Sequence, residues 1–594
     1  MKLYLYIFVF LVTQIALSQE DFLAKQYFSD GDFEKAVVYY EKLVKQNPSR
    51  LDYSEGLAKC YQQLERYLDA EKLIIKQIKS KKGRPTLLIE LGHNYALQKL
   101  SNEAKTQYEK AVAIAEKKPN YAYNIAIRFQ KYTLLNYAAE VYTNAMKKNP
   151  QLNYNFQLAR IYGEQGAIEK MYQSYLNLLL EGKTSTSNVT RSINDFITSD
   201  ATNENNIKLK KVLLQNAQKN PNILWNEFLS WLFVQQKQYN SAFSQEKAIY
   251  KRTDQSSLQR IESLGSLALD ENQLEIATTI FEYIIEKSND PDLILKAELH
   301  LIAIELQNAG DKKITQIETT FKNLLETYGY KSSTLPLQIA YANFLTFKKN
   351  NPEAAIALLK NSLEIPLNTR GKAYVKMALG DILVFDKKFN KALIYFSQIQ
   401  KDLKNDVLGQ DARFKVAQTS FYKGDFDWAL TQLKVLRGST SQLIANDAMQ
   451  LSLLISDNSL EDSTQTALKK YARADLLAYQ NKIKEAITML GAIMQHHKGE
   501  KIEDEALLKQ GKLLESVKKY DAAVLNYIKI IEFFSNNILA DDAHFALAEL
   551  YKNKLENPEK AKQHYEKIIY NYQDSYYYPQ AIKNFRALRG DVIN

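Results

Sequence analysis

Ala36-Val-Val-Tyr-Tyr40, Ala70-Glu-Lys-Leu-Ile74, Ala104-Lys-Thr-Gln-Tyr108 and Ala138-Ala-Glu-Val-Tyr142 each set a small residue four positions ahead of a bulky one, and the pair returns every 34 residues without insertion. Working backwards, each is preceded by a second small residue (Ala24, Ala58, Gly92, Ala126), followed three positions later by an aromatic (Tyr27, Tyr61, Tyr95, Phe129). Small residues let two helix backbones approach and large ones fill the gap between them. The pattern therefore predicts antiparallel helix pairs. A fixed period of this length predicts a stacked array, in which each pair buries its apolar face only against its neighbours.

The rest of the chain agrees. Its 594 residues exceed one ordinary core, 11 prolines and 19 glycines leave few turns, and 45% hydrophobic with 25% charged residues suits amphipathic helices throughout. We expect an all-α chain. Residues 1–18, Met1-Lys-Leu-Tyr-Leu-Tyr-Ile-Phe-Val-Phe-Leu-Val-Thr-Gln-Ile-Ala-Leu-Ser18, read as a signal peptide: one basic residue, a short apolar run broken by Thr13 and Gln14, then small residues. No cysteine follows this stretch, so lipid attachment of the bacterial lipoprotein kind is not expected, and no later segment reads as a membrane span. Cys60 is the single cysteine, which leaves no internal disulfide.

A formal charge of +10 raises the question of nucleic acid. Only 14 of the 78 basic residues are arginine, the side chain that reads phosphates and base edges in a bidentate manner, and the lysines are spread along the chain. A solvated cationic surface is the economical account, and no nucleic-acid partner is expected.

The periodicity divides the chain into an N-terminal array, 19–182, a polar break with degenerate helical repeats, 183–334, and a C-terminal array, 335–594. In the first array a fifth unit follows with a one-residue slip at Ala159, Tyr162, Met171 and Tyr175. In the C-terminal array the same 3, 9, 4 spacing is read at Ala342, Leu345, Ala354, Leu358; at Gly380, Leu383, Ala392, Phe396; at Ala474, Leu477, Ala486, Leu490; and at Gly511, Leu514, Ala523, Tyr527. The last unit, Ala548, Tyr551, Ala561, Tyr565, carries one extra residue around Asn557-Pro558.

These columns resemble the tetratricopeptide-repeat (TPR) family over most of residues 20–182 and 335–585. The resemblance implies a helix-turn-helix solenoid, a right-handed superhelix in two halves joined by the degenerate middle, with the first helix of each pair lining a concave groove. Ala540-Asp-Asp-Ala-His-Phe-Ala-Leu-Ala-Glu-Leu-Tyr551, with the later Tyr572-Gln-Asp-Ser575, resembles the variant of the repeat found in exported bacterial envelope proteins. It implies a periplasmic or peripherally envelope-associated protein. The implied role is a non-catalytic protein-protein interaction scaffold or adaptor. The alternative is a docking regulator of a single envelope enzyme or export or assembly machine.

By the same resemblance, the residue after the first small column faces the groove: Lys25, Lys59, His93, Ile127 and Arg160, largely basic. Four positions earlier stand Asp21, Glu55, Ile89, Tyr123 and Phe156, increasingly apolar. Lys25, Lys59, His93, Arg160, Tyr123 and Phe156 are thus candidates for holding an acidic or C-terminal segment of a protein partner. The matching position in the later units gives Asp381, Gln418, Asp475, Lys512 and Glu549, mostly acidic or polar. No cofactor or metal is expected. His496-His497 with Glu500 lacks a second ligand pair at helical spacing, no Gly-x-Ser-x-Gly elbow occurs, and the many carboxylates lie on repeating helical faces. The chain is not expected to be an enzyme.

Overall fold

The computed structural model describes residues 19–80, 84–253, 257–307, 310–438, 441–459 and 464–591. The expected signal peptide, 1–18, lies outside the described residues. Every regular element among them is helical. The chain forms two compact units, one ending at Arg252 and the other beginning at Thr253. The polar segment 183–206 lies inside the first unit and is itself partly helical: Ser185 caps Thr186–Ile193 and Asn203 caps Glu204–Lys219 through their side-chain oxygens.

Each repeat is a first helix, a tight turn and a second helix, as in Leu51–Gln63 with Tyr67–Ile78 and Thr86–Leu97 with Ser101–Lys117. The sequence columns are the contact surfaces. Ala24, Ala36, Ala70, Ala126, Ala138 and Ala159 are fully buried, and Tyr40, Ile74, Tyr108 and Tyr142 nearly so. Where the first small column is glycine it makes room for a ring sixteen residues on. A methyl group on Gly511 would lie 2.5 Å from the Tyr527 ring and one on Gly265 2.9 Å from Phe281, while Gly92 and Gly380 would overlap Tyr108 and Phe396. With alanine in the column the later residue is often aliphatic, as in Ala58 with Ile74 or Ala417 with Leu433.

The turns share one closure. The N–H of Arg66 donates to the carbonyl of Tyr61 (2.8 Å), that of Leu100 to Tyr95 (3.0 Å) and that of Leu134 to Phe129 (3.0 Å), each from the residue five positions on. The residue between, Glu65, Lys99 or Thr133, is left-handed, with φ of 57°, 63° and 56°. This is the six-residue cap that usually takes glycine. In two turns the loop is one residue longer. Asn351 donates to Leu345 and Asn557 to Tyr551, both at 2.8 Å, and each asparagine side chain then caps the next helix at Ala354 or Lys560, with Pro352 or Pro558 behind it.

That turn corrects one reading of the sequence. In the unit Leu335–Phe347 with Pro352–Leu363, the columns are Ala355 and Leu359, both fully buried, instead of Ala354 and Leu358. The degenerate middle holds a unit in Ile223–Gln235 and Tyr239–Arg252 whose column pair is polar. Buried Ser230 donates to buried Glu246 at 2.5 Å.

In the second unit the helix Gln442–Ser459 has no second-helix partner among the described residues. It packs on Phe426–Leu436, while Val407–Lys423 and Thr466–Tyr479 pack directly against each other. The end of Thr466–Tyr479 also reaches two repeats back. The Tyr479 hydroxyl donates to the Asp381 carbonyl (3.2 Å), the Gln480 amide to that of Phe385 (2.5 Å), and the Tyr479 ring meets Phe347 edge-on at 5.7 Å.

Two outcomes follow from this packing. A β-branched residue with positive φ is strained by about 1–2 kcal/mol, part of which glycine gives back in chain entropy. Thr133→Gly is expected to stabilise the first unit by roughly 0.5 to 1 kcal/mol in urea unfolding. The second concerns His544 and His564, whose Nδ1 atoms lie 3.0 Å apart, so one must donate and the other accept. Burial pushes both pKa values down to about 4, helped at His544 by His564 and Lys567 and at His564 by Lys560. The unfolded imidazoles take up protons near pH 6.5 and the folded ones do not. Their contribution is whole above pH 6.5 and lost as pH falls towards 4. Against wild type, His544→Phe paired with His564→Gln should therefore show a shallower fall of thermal midpoint over that window.

Candidate functional site

The first helices of units two to five, Leu51–Gln63, Thr86–Leu97, Ala122–Lys131 and Asn155–Glu164, carry most of the residues singled out in the sequence. Lys25, on the helix over 19–29, is exposed and pairs with Asp21 one turn back at 2.8 Å. His93 is half-buried and stacks on the Tyr132 ring with centroids 3.9 Å apart. Burial holds its pKa below the usual histidine value, so the ring is neutral at pH 7. Tyr123, Ile127 and Phe156 remain 46%, 44% and 48% exposed, a large apolar showing for side chains on a packed array. Arg160 is exposed beside them in register.

Helical spacing arranges these groups in two parallel rows. Tyr123, Ile127 and Lys131 follow at intervals of four on one helix, and Phe156 and Arg160 on the next. In each row the apolar side chains come first and the cation last.

A charged centre that the sequence columns do not mark organises the cationic end. Glu90 is buried, 5% exposed at its side chain, and receives the Arg128 guanidinium, the Tyr132 hydroxyl at 2.5 Å and the Lys131 ammonium at 3.7 Å. Arg128 also reaches Glu55 at 2.9 Å. Burial together with the charges of Lys59 and Arg128 holds the Lys131 pKa below the ordinary lysine value, against the pull of Glu90. Three cations and two carboxylates thus share the patch. Glu90 and Arg128 lie two residues before and two after the small column, so a scan confined to the column positions passes over them. The available signal was an acid and a base one helical turn apart in column register on successive first helices.

In the second unit the corresponding positions are used between repeats: Asp381 pairs with Lys415 at 3.0 Å and Asp475 with Lys509 at 2.5 Å. Glu549 accepts from the Tyr565 hydroxyl and from Asn584 at 2.9 Å. Cys60 is fully buried and its thiol is pushed up to about 12 by desolvation, which leaves it protonated. Among the described residues no group of three or more His, Cys, Asp or Glu side chains is placed to hold a metal ion, and no helix is long and apolar enough to cross a membrane.

Residues 23–81 match the family model described as tetratricopeptide repeat. With the same small and large columns buried through both units, the chain is an all-α solenoid of the TPR type. Among solved structures it is similar to the Naa15/Naa10 complex bound to HypK-THB, at 14% identity, 97% coverage of this chain, 96% of that one and a TM-score of 0.30. It is also similar to the APC/C hetero-tetramer Cut9-Hcn1, at 12% identity, 97% and 98% coverage and a TM-score of 0.24. Comparison with curated protein sequences gives no match.

Removing the charge at the buried centre tests this geometry. Glu90→Gln leaves Arg128 and Lys131 against a neutral amide, with Glu55 the one carboxylate still paired to Arg128. It is expected to cost about 3 kcal/mol in urea unfolding, the scale of breaking a buried pair from one side. Adding Arg128→Met should restore part of that loss.

Proposed function

We propose that this protein is a non-catalytic scaffold or adaptor that holds protein partners along the first-helix layer of its repeats, and that it works in the bacterial cell envelope after export by residues 1–18. The fold is one whose members bind protein partners. The export reading is supported by the leader sequence, and the envelope reading by the Asp-Ala opening and the Tyr-x-x-Ser turn of the last repeats.

The observation that carries the partner's chemistry is that Lys131 and Arg160 end two rows of exposed apolar side chains, Tyr123 with Ile127 and Phe156. A carboxylate placed on these cations gains charge-assisted hydrogen bonds. A partner segment that lays apolar side chains on Tyr123, Ile127 and Phe156 and ends in acidic residues or its own C-terminal carboxylate satisfies both ends of the surface. Arg160 closes the second row in the same sense, and Lys25 extends the basic edge towards the first repeat.

The test is in-cell crosslinking and affinity purification of the wild-type chain beside the Lys25→Glu, Lys59→Glu, Arg160→Glu variant, with circular dichroism confirming that both are equally helical. The expected outcome is one or more envelope proteins captured by the wild type and lost from the variant, with capture weakening as salt is raised past about 0.15 M. An unchanged set of captured proteins would remove this surface from the account.

A further inference from the structure

The unpaired helix Gln442–Ser459 stands beside the first-helix layer of the second unit and walls a cavity of about 660 Å³. Its apolar lining is Phe414 and Phe421 from Val407–Lys423, Leu454 from the unpaired helix, Leu508 from Ile502–Ser516, and Ile538. Its charged lining is Asp447, Asp475, Glu505 and Asp542 with Lys509 and Lys512. Four carboxylates facing two lysines reverse the sign of a chain whose formal charge is +10.

Some of these groups are already engaged. Lys509 pairs with Asp475 at 2.5 Å, and the Tyr577 hydroxyl donates to Asp542 at 2.8 Å. Asp447 and Glu505 have no side-chain hydrogen bond or ion pair among the described residues. Tyr471 lines the same cavity, is only 6% exposed, and its hydroxyl likewise has no partner among them. Desolvation first, then Asp504, Asp542 and Asp457, push the Glu505 carboxyl up to about 8 against the opposing pull of Lys512. The unpaired helix also leaves Leu443, one turn before Asp447, 71% exposed, and Met449 54% exposed, so its apolar surface runs on past the cavity.

We propose that this cavity binds an amphipathic basic segment of a protein partner, with its apolar side chains on Phe414, Phe421, Leu454 and Leu508 and an arginine or lysine head on Asp447 and Glu505. Charge decides the class of occupant. An acidic segment would add to an excess of carboxylates, whereas a cation lets both unpaired ones stay ionised, and the long apolar stem of arginine or lysine suits a lining that mixes apolar and acidic side chains. The site lies in the opposite unit from the basic first-helix surface and takes the opposite charge, so it stands independently of the function proposed above.

The pH dependence has a definite sign. Glu505 has as ionisable neighbours Asp504, Lys509 and Lys512 on its own helix, Tyr471 and Asp475 on Thr466–Tyr479, Asp447 and Asp457 on the unpaired helix, and Asp542 and Tyr577 beyond. Below its raised pKa a cation must expel a proton to bind; above it none is expelled. Affinity for a basic segment therefore rises between pH 6.5 and 8.5.

The experiment is fluorescence anisotropy on the full chain at pH 8 with a fluorescein-labelled twelve-residue peptide of leucine, alanine and arginine. Companion peptides carry glutamate for each arginine, or alanine for each leucine. The arginine-leucine peptide should bind and the glutamate peptide should not, while loss of leucine should weaken binding about tenfold. Asp447→Asn with Glu505→Gln, near-isosteric changes whose folding circular dichroism verifies, should weaken it about tenfold or more. Glu485→Gln with Asp521→Asn, exposed carboxylates elsewhere, and Lys59→Glu with Arg160→Glu should leave it unchanged. Glu505→Gln alone should flatten the rise with pH. Equal binding by wild type and the Asp447/Glu505 variant, equal loss in the Glu485/Asp521 variant, or equal binding of the glutamate peptide would each overturn the proposal.

Discussion

Everything in this chain depends on the close approach of two helix backbones across a small residue. Where Gly511 meets Tyr527, or Gly265 meets Phe281, there is no room for a methyl group; where alanine stands in the column, it is buried almost completely. Close packing leaves such contacts no slack, so the distance between the paired helices is set residue by residue. Because each pair is fixed mainly by itself and its neighbours, the array accommodates a polar pair such as Ser230 with Glu246, or an extra helix such as Gln442–Ser459, with helix pairs kept on either side. Local rigidity with global tolerance is what lets an array vary its surfaces independently of its core.

The core was legible because its signal is steric and repeats. Ala36, Tyr40, Ala70 and Ile74 could be read as a packing interface from spacing alone, and the structure buries all four. Turns were less legible. The left-handed position of the cap is glycine at Gly31, Gly166 and Gly424 but is Glu65, Lys99 or Thr133 in the turns of repeats two to four, so glycine announces only some of the caps. The Asn-Pro signal at 557–558 was recognised, yet the same dipeptide at 351–352 does the same work, and missing it shifted one pair of columns by a residue. The unpaired helix was invisible because its composition is that of any other amphipathic helix; only its lack of a partner distinguishes it.

The candidate surfaces were legible only in outline. Spacing placed Tyr123, Phe156, Lys59 and Arg160 on first helices, and the structure leaves both aromatic rings about half exposed. It could not show that His93 would stack on Tyr132 and lose its charge, or that Glu90 would gather Arg128, Lys131 and Tyr132 around it. Such networks join residues from helices more than one repeat apart, as Arg128 joins Glu55, and their strength comes from burial, which no single column reveals. In the second unit the ion pairs of Asp381 and Asp475 with Lys415 and Lys509 join successive repeats, so the same column positions serve cohesion there.

The account's central claim is that the first-helix layer, and not the outer second-helix layer, receives the partner. A photo-crosslinking amino acid introduced singly at Tyr123, at Phe156 and at Val38, which is 64% exposed on the second helix of its repeat, tests this most directly in living cells. The account predicts a discrete crosslinked protein from Tyr123 and Phe156 and none from Val38. The same product from Val38, or none from the two aromatic positions, would contradict it.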